Sequence, residues 1–260
     1  MRRIISNKNR ISGLILIMFL LALWELLSRL NIVNKIFFPA FSVIFKKFCQ
    51  MLVMADSWRN IVSTVYRFFW GYFFALILGI PIGILMGKIR RIFDLFEPIV
   101  ELLRPIPSAA IIPIAILFLG IDDLMKIFVI AYACLWPILI NSLDGVRNID
   151  PVLIETGKTF KLAKSRFFLK IVLPAASPQI VTGMRVSLSI ALILAITVEM
   201  IAGNNGIGFF ILDSERSFHF PEMYAGIILI GIIGYFLNFI FLKFSKRIMC
   251  WHEGFTATKL

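Results

Sequence analysis

Glu155-Thr-Gly-Lys-Thr-Phe-Lys-Leu-Ala-Lys-Ser-Arg-Phe-Phe-Leu-Lys-Ile-Val-Leu-Pro174 is a short basic island between apolar runs long enough to cross a bilayer. Lys158, Lys161, Lys164, Arg166 and Lys170 are crowded into it, with Leu162, Phe167, Phe168, Ile171 and Leu173 interleaved. A loop that only joined two membrane helices would need neither set. The stretch reads as a docking element on the cytoplasmic side of a membrane, and the apolar runs around it fix the fold class.

The 260 residues are 60% hydrophobic and 16% charged, with a mean hydropathy of +0.91. Soluble domains are about half apolar and a quarter charged, so the chain is an integral membrane protein. Its length accommodates five or six spans of about 20 residues with short loops. The net charge of +12 follows from topology, because the cations sit between apolar runs and not along one nucleic-acid-binding face. Cys49, Cys134 and Cys250 are far apart and form no metal or disulfide framework.

Read in order, residues 1–10 form a basic cytoplasmic start and 11–30 a first span. That apolar run is too long for a signal-peptide core of about 7–15 residues, and no small-residue cleavage site follows it. Residues 31–62 read as an outer amphipathic segment, with Val43, Ile44, Phe48, Met51 and Leu52 at helical spacing beside Lys46 and Lys47. The remainder, 63–250, reads as a core of five further spans with the island at 151–174, followed by a tail at 251–260. A second span is expected over 68–87 and a third over 92–120, broken by Arg104-Pro-Ile-Pro107 and Pro113. A fourth is expected over 127–143, a fifth over 174–202, an outer loop over 203–221 and a sixth span over 224–242. The cation count favours both ends inside: Lys88, Arg90, Arg91, Arg147, the island, Lys243, Lys246 and Arg247 all fall in inner segments.

Gly71, Ala75, Gly79, Gly83 and Gly87 recur every fourth residue and make one small-residue ridge. Such ridges let helix backbones approach closely in lipid. Gly83-Ile-Leu-Met-Gly87-Lys88 lacks the spacing and the Ser/Thr of a phosphate loop, and Gly203-Asn-Asn-Gly206-Ile-Gly208 follows no strand, so neither is a nucleotide site. His219 and His252 fall on opposite sides of the membrane, which leaves no metal pair, and no nucleophile–base set stands out. Arg104, Arg185 and Glu199 are ionisable groups within spans. Groups of that kind face a cavity or a partner, so each is a candidate pathway or gate residue. The competing possibility is a structural ion pair, with Glu101 or Asp144 for the arginines.

The spacing from Glu155 to Ile171, Leu173 and Pro174 resembles the "EAA" cytoplasmic loop of bacterial ABC importer permeases. Arg104-Pro-Ile-Pro107, Gly120-Ile121, Gly145-Val-Arg-Asn-Ile-Asp-Pro151, Leu173-Pro-Ala-Ala176, Thr182-Gly-Met-Arg185, Glu199-Met200, Gly206-Ile-Gly208 and Trp251 look like the nitrate/sulfonate/taurine/bicarbonate branch of that family. The likeness runs from about residue 14 to 251. In two places the island departs from the family pattern. Thr156-Gly157 stand where the family has alanines, and Lys161 stands where it has a glycine, which implies a different turn there or a helix continuing to Leu162.

The resemblance implies an all-α, type I ABC importer permease fold with six transmembrane helices and both termini cytoplasmic. It further implies a homodimer, two separate ABC ATPase subunits that bind the ATP and Mg, and an extracytoplasmic substrate-binding protein. A coupling helix over about 158–166 is expected, with Glu155, Gly157, Phe160, Lys161, Leu162, Ala163, Lys164 and Pro174 as the ATPase-coupling residues. The chain would then be no enzyme itself. It would move a small sulfonate-, taurine- or nitrate-like anion across a bacterial cell membrane by alternating access. Two alternatives stay open: the same importer type serving a neutral vitamin or pyrimidine precursor, and a secondary transporter that needs no ATPase.

Overall fold

The computed structural model describes residues 7–249, so the extreme N-terminus and the tail with Trp251 and His252 lie outside the described residues. Among the described residues every regular element is helical. Helices α1 (Asn7–Arg29), α2 (Phe41–Val53), α3 (Ala55–Lys88) and α4 (Arg90–Leu103) are followed by a 3₁₀ turn at Ser108–Ile111 and α5 (Ile112–Leu119). Then come α6 (Asp123–Arg147), α7 (Pro151–Thr159), α8 (Lys164–Phe167), a π-helical segment at Phe168–Val172, α9 (Leu173–Ala202), α10 (Ile207–Arg216) and α11 (Phe220–Ile248).

Among the described residues four helical stretches are long and apolar enough to cross a bilayer: Ala55–Lys88, Asp123–Arg147, Lys164–Ala202 and Phe220–Arg247. The pair Arg90–Leu103 and Ser108–Leu119 makes a fifth if taken as one span, although it bends by 87°. The bend falls on Arg104-Pro-Ile-Pro107, where proline removes backbone donors and restrains the residue before it. Of the six expected spans, α1 is the one outside this count. It exposes Ile15 through Leu20 and is held by its outer end. Trp24 Nε1 donates to the Pro39 carbonyl (3.0 Å), Ser28 Oγ donates to the Phe38 carbonyl (2.8 Å), and the Glu25 carboxylate accepts from the backbone and hydroxyl of Ser42.

The centre of the molecule is α6, sandwiched between α3 and α9. The five-residue ridge of α3 faces it. A Cβ on Gly71, Gly79 or Gly87 would stand 2.6, 2.8 or 2.7 Å from the side chain of Ile130, Ile138 or Val146, and one on Gly83 would stand 2.7 Å from Ser142 Cβ. On the other side, Gly145 of α6 lies against the Ala176 carbonyl and Gly183 of α9 against that of Pro137. Helices in lipid gain little from the hydrophobic effect between themselves and rely on such close approach, together with interhelical hydrogen bonds. Those bonds are present: Ser187 Oγ donates to the Cys134 carbonyl (2.9 Å) and Tyr72 Oη to the Met184 carbonyl (2.9 Å).

Two expectations are corrected here. Residues 203–221 are not a loop: Ile207 and Ile211, one turn apart, bury against Ile44 and Met51 of α2 and Ala225 and Leu229 of α11, and this packing stabilises α10. The helix expected over 158–166 is absent too. The chain breaks between α7 and α8 because Lys161 adopts φ 46° and Ala163 is extended.

Candidate functional site

The inner loop is built from short, well-capped pieces. Asp150 N-caps α7, accepting from the Val152 amide (2.8 Å), and Pro151 occupies the first turn, where its missing N–H costs nothing. At the other end the Lys161 amide donates to the Lys158 carbonyl (2.9 Å) and the Leu162 amide to the Gly157 carbonyl (3.3 Å). This pair of bonds is a Schellman motif, in which the residue in the left-handed region is ordinarily glycine. Lys161 fills that position at φ 46°, so the turn a glycine would make is present with a lysine in it.

Gly157 is buried, and a Cβ on it would meet Phe167 Cε2 at 2.7 Å as well as Ile171 Cδ1. The side chains of the second arm thus lean into the space that Gly157 leaves. Glu155 pairs with Lys158 (2.8 Å) with both side chains largely in solvent, a contact worth little by itself. Phe160 is 75% exposed and Val152 69%. Together with Pro151, Glu155, Thr156 and Thr159 they line a shallow open groove. Lys161, Ala163 and Lys164 are also exposed and Leu162 is half-buried. Seven of the eight predicted loop residues are thus gathered at one place. Pro174 lies apart, in the first turn of α9, against an apolar groove shared with Phe241 and Phe244 of α11.

Of the three charged candidates in the spans, two are exposed. Arg104 caps the C-terminus of α4 at the bend, and Arg185 projects from the middle of α9. Neither makes an ion pair among the described residues, so the structure gives them no Glu101 or Asp144 partner.

Glu199 has the opposite setting. It is fully buried in the last turn of α9 and accepts from Arg67 Nη1 (2.7 Å), Thr64 Oγ1 (2.8 Å) and the Gly208 amide (2.9 Å). Arg67, 1% exposed, also donates through Nε to Asp123 Oδ1 (2.7 Å), to the Asn205 carbonyl (3.0 Å) and to the Asn205 side chain. Lys126, equally buried, stands 3.6 Å from Asp123. Thr64 accepts from the Ile207 amide and Asn60 from the Gly206 amide, both at 2.9 Å.

This network ties α3, α6, α9 and the 203–207 connection together at the outer ends of the helices. It also gives the glycines of Gly203-Asn-Asn-Gly206-Ile-Gly208 their reason. A Cβ on Gly203 would strike the Glu199 backbone, one on Gly206 its carboxylate, and one on Gly208 its Cβ. Gly206 additionally sits at φ 107°, which other residues rarely adopt. Sequence reasoning singled out Glu199 but missed Arg67, Asp123, Lys126 and Thr64. The available signal was Asn60, Thr64 and Arg67 at i, i+4 and i+7, one polar helix face running into an apolar span.

The chain is similar in sequence to several transport permeases. The putative aliphatic sulfonates transport permease protein of Bacillus subtilis is 28% identical over 243 residues, covering 94% of this chain and 88% of its own. The taurine transport system permease protein of Escherichia coli is 28% identical, covering 90% and 86%. The nitrate import permease protein of Leptolyngbya laminosa is 33% identical, covering 76% and 77%. Among solved structures, a chain of the MetNI methionine ABC transporter in inward-facing conformations superposes with a TM-score of 0.65 at 19% identity, covering 76% of this chain and 96% of that one. That likeness speaks for the fold. The family model for the binding-protein-dependent transport system inner membrane component matches residues 79–248, from the last third of α3 through α11, with the loop, α6 and α9 included. The chain belongs to the family of inner membrane components of binding-protein-dependent transport systems.

Proposed function

We propose that this chain is the membrane-spanning subunit of an ATP-driven importer in a bacterial cytoplasmic membrane, working as a homodimer. Separate ATPase subunits bind ATP and Mg and dock on residues 151–174 of each copy. An extracytoplasmic binding protein delivers the solute near α10 and the 203–207 connection. The observation that carries this reading is the exposed inner loop. It presents an aromatic side chain, Phe160, on a segment whose Lys158, Lys161, Lys164 and Arg166 are also exposed, at a turn closed by backbone hydrogen bonds. Exposed aromatics set in pockets dominate protein docking energies, and lysines around them complement an acidic rim.

Helix α8 runs through the π-helical segment Phe168–Val172 into α9, and Phe167 and Ile171 pack over Gly157 of α7, so force applied at Phe160 reaches α9 across that contact and then along helical backbone. Closure of the ATPases would push both loops and rock the helices as rigid bodies between inward- and outward-open states. The solute class is a small sulfonate-, taurine- or nitrate-like anion, supported by what the similar permeases are named for. Reconstitution with its ATPase and binding protein should give ATP-dependent uptake that the chain alone does not support. Gradient-driven uptake by the chain alone would replace this reading with that of a secondary transporter.

A further inference from the structure

Resting on the reading of this chain as the pore of an anion importer, we infer that Arg185, with Ser189, forms a water-accessible anion contact halfway across the membrane. Arg185 lies roughly 18 Å from the inner end of α9 at about 1.5 Å per residue, near the centre of a hydrocarbon core about 30 Å thick. Its side chain is exposed and makes no ion pair among the described residues. An arginine presented to lipid at that depth costs about 3 kcal/mol or more, so this face of α9 does not meet lipid.

The neighbours agree. Arg185, Val186, Ser189 and Ile193 are exposed and Thr182 is half-exposed, at spacings of three and four that place them on one face, whereas Gln179, at the inner edge, donates to Asn141 of α6 (3.1 Å). The opposite face, with Ala176, Ile180, Gly183, Ser187 and Ala191, is the buried one. The exposed stripe therefore points away from the three-helix core and is polar where a lipid-facing stripe is apolar. No carboxylate lies on it.

That last fact distinguishes the possible neighbours. Should the stripe face its own copy across a twofold axis, residue meets like residue and the two arginines approach each other. A dry self-contact is then opposed by like charge, whereas a hydrated gap holding an anion is favoured. The guanidinium fork suits a small oxyanion, offering two parallel N–H donors, and the hydroxyl of Ser189, one turn away, can donate to a remaining oxygen, whereas Thr182 Oγ1 donates to the Pro178 carbonyl (2.9 Å).

The test uses the complete reconstituted complex carrying Ser189→Cys, with Cys49 and Cys250 replaced by serine and the buried Cys134 retained. Two water-soluble thiol reagents are compared, a sulfonate-bearing methanethiosulfonate and its trimethylammonium counterpart, each normalised to its rate with a free thiol. We expect both to label the introduced thiol, the anionic one about tenfold faster, with the preference lost in Arg185→Gln and kept in Arg185→Lys. Failure of either reagent to label that thiol would show the stripe to be dry and overturn the assignment. So would a preference that survives Arg185→Gln. If that variant does not assemble, the ratio in the arginine background carries the test, and equal normalised rates there would also overturn it. ATP-dependent uptake of nitrate, taurine and ethanesulfonate, measured in parallel, reports on the importer reading separately. Uptake of only neutral solutes would remove that reading while the labelling ratio still reports the arginine.

Discussion

The two ends of this molecule solve the same problem, fixing a sharp turn between helices, in opposite ways. At the inner loop the Lys158–Leu162 turn is closed by backbone hydrogen bonds alone, and its side chains Phe160, Lys161 and Lys164 are left in solvent. At the outer end the 203–207 turn is closed by side chains. A buried carboxylate and guanidinium satisfy one another and the backbone amides of Ile207 and Gly208 through Thr64 and Glu199, and three glycines must pack around the one glutamate. The inner turn is therefore free to vary its residues and to present a surface. The outer one is a closed set in which each member needs all the others. Surface contacts of the first kind suit docking, and buried charge networks of the second kind specify a single arrangement and tolerate little change.

Substitutions sharpen that contrast, beginning with the largest. Arg67→Ala strands Glu199 without its charge partner, and losing one member of a buried pair costs about 3–5 kcal/mol. The thermal unfolding midpoint in detergent should fall steeply with little folded protein recovered, and a midpoint within about a degree of the wild type would mean that the network contributes nothing. Gly206→Ala places a methyl group against the Glu199 carboxylate at φ 107°. We expect a loss of about 2–3 kcal/mol from strain and overpacking together, measurable as increased protease sensitivity of the 203–207 connection.

At the inner end stability and function should separate. Phe160→Ala leaves the fold intact because the ring touches solvent, yet it should weaken ATPase docking by about 2 kcal/mol, roughly thirtyfold, if the ring is an interface anchor. Co-purification with the ATPase and ATP-dependent uptake read this directly, and unchanged docking would transfer the role to the cations. The smallest effect is expected for Lys161→Gly, which relieves a left-handed lysine and changes local stability by about 1 kcal/mol or less. Hydrogen exchange at the Leu162 amide reports the turn, and coupling should be preserved. Loss of coupling with slower exchange would show that the lysine itself makes a contact.

Much of the architecture was legible in the sequence because it rests on local rules. The four-residue recurrence of Gly71 to Gly87 marks a helix face, whatever it packs against. Arg104-Pro-Ile-Pro107 marks a break, and the structure turns by 87° there. The position of Lys161 marks a turn through its family glycine, but the lysine itself carries no signal of the left-handed region, and a helix running on fits the sequence equally. Helix α10 was missed because its isoleucines gain their burial only in the tertiary structure, from α2, α9 and α11.

By itself the sequence determined that this is an all-helical membrane chain and which stretches beyond residue 55 are long and apolar enough to cross. It also set the basic island apart from the apolar runs on either side, since bilayer length, backbone hydrogen bonding and charge patterning act within a segment. Tertiary structure alone decided which charges are paired. Arg67 and Glu199 stand 132 positions apart, and Arg67 and Asp123 stand 56 apart, so no local pattern announces them. Whether an ionisable side chain in a span is a buried strut like Glu199 or an exposed group like Arg185 depends on which helix face the packing of α9 against α6 covers. At the basic island the sequence set the position of the turn, and packing placed Phe167 and Ile171 over Gly157, leaving Phe160 outside.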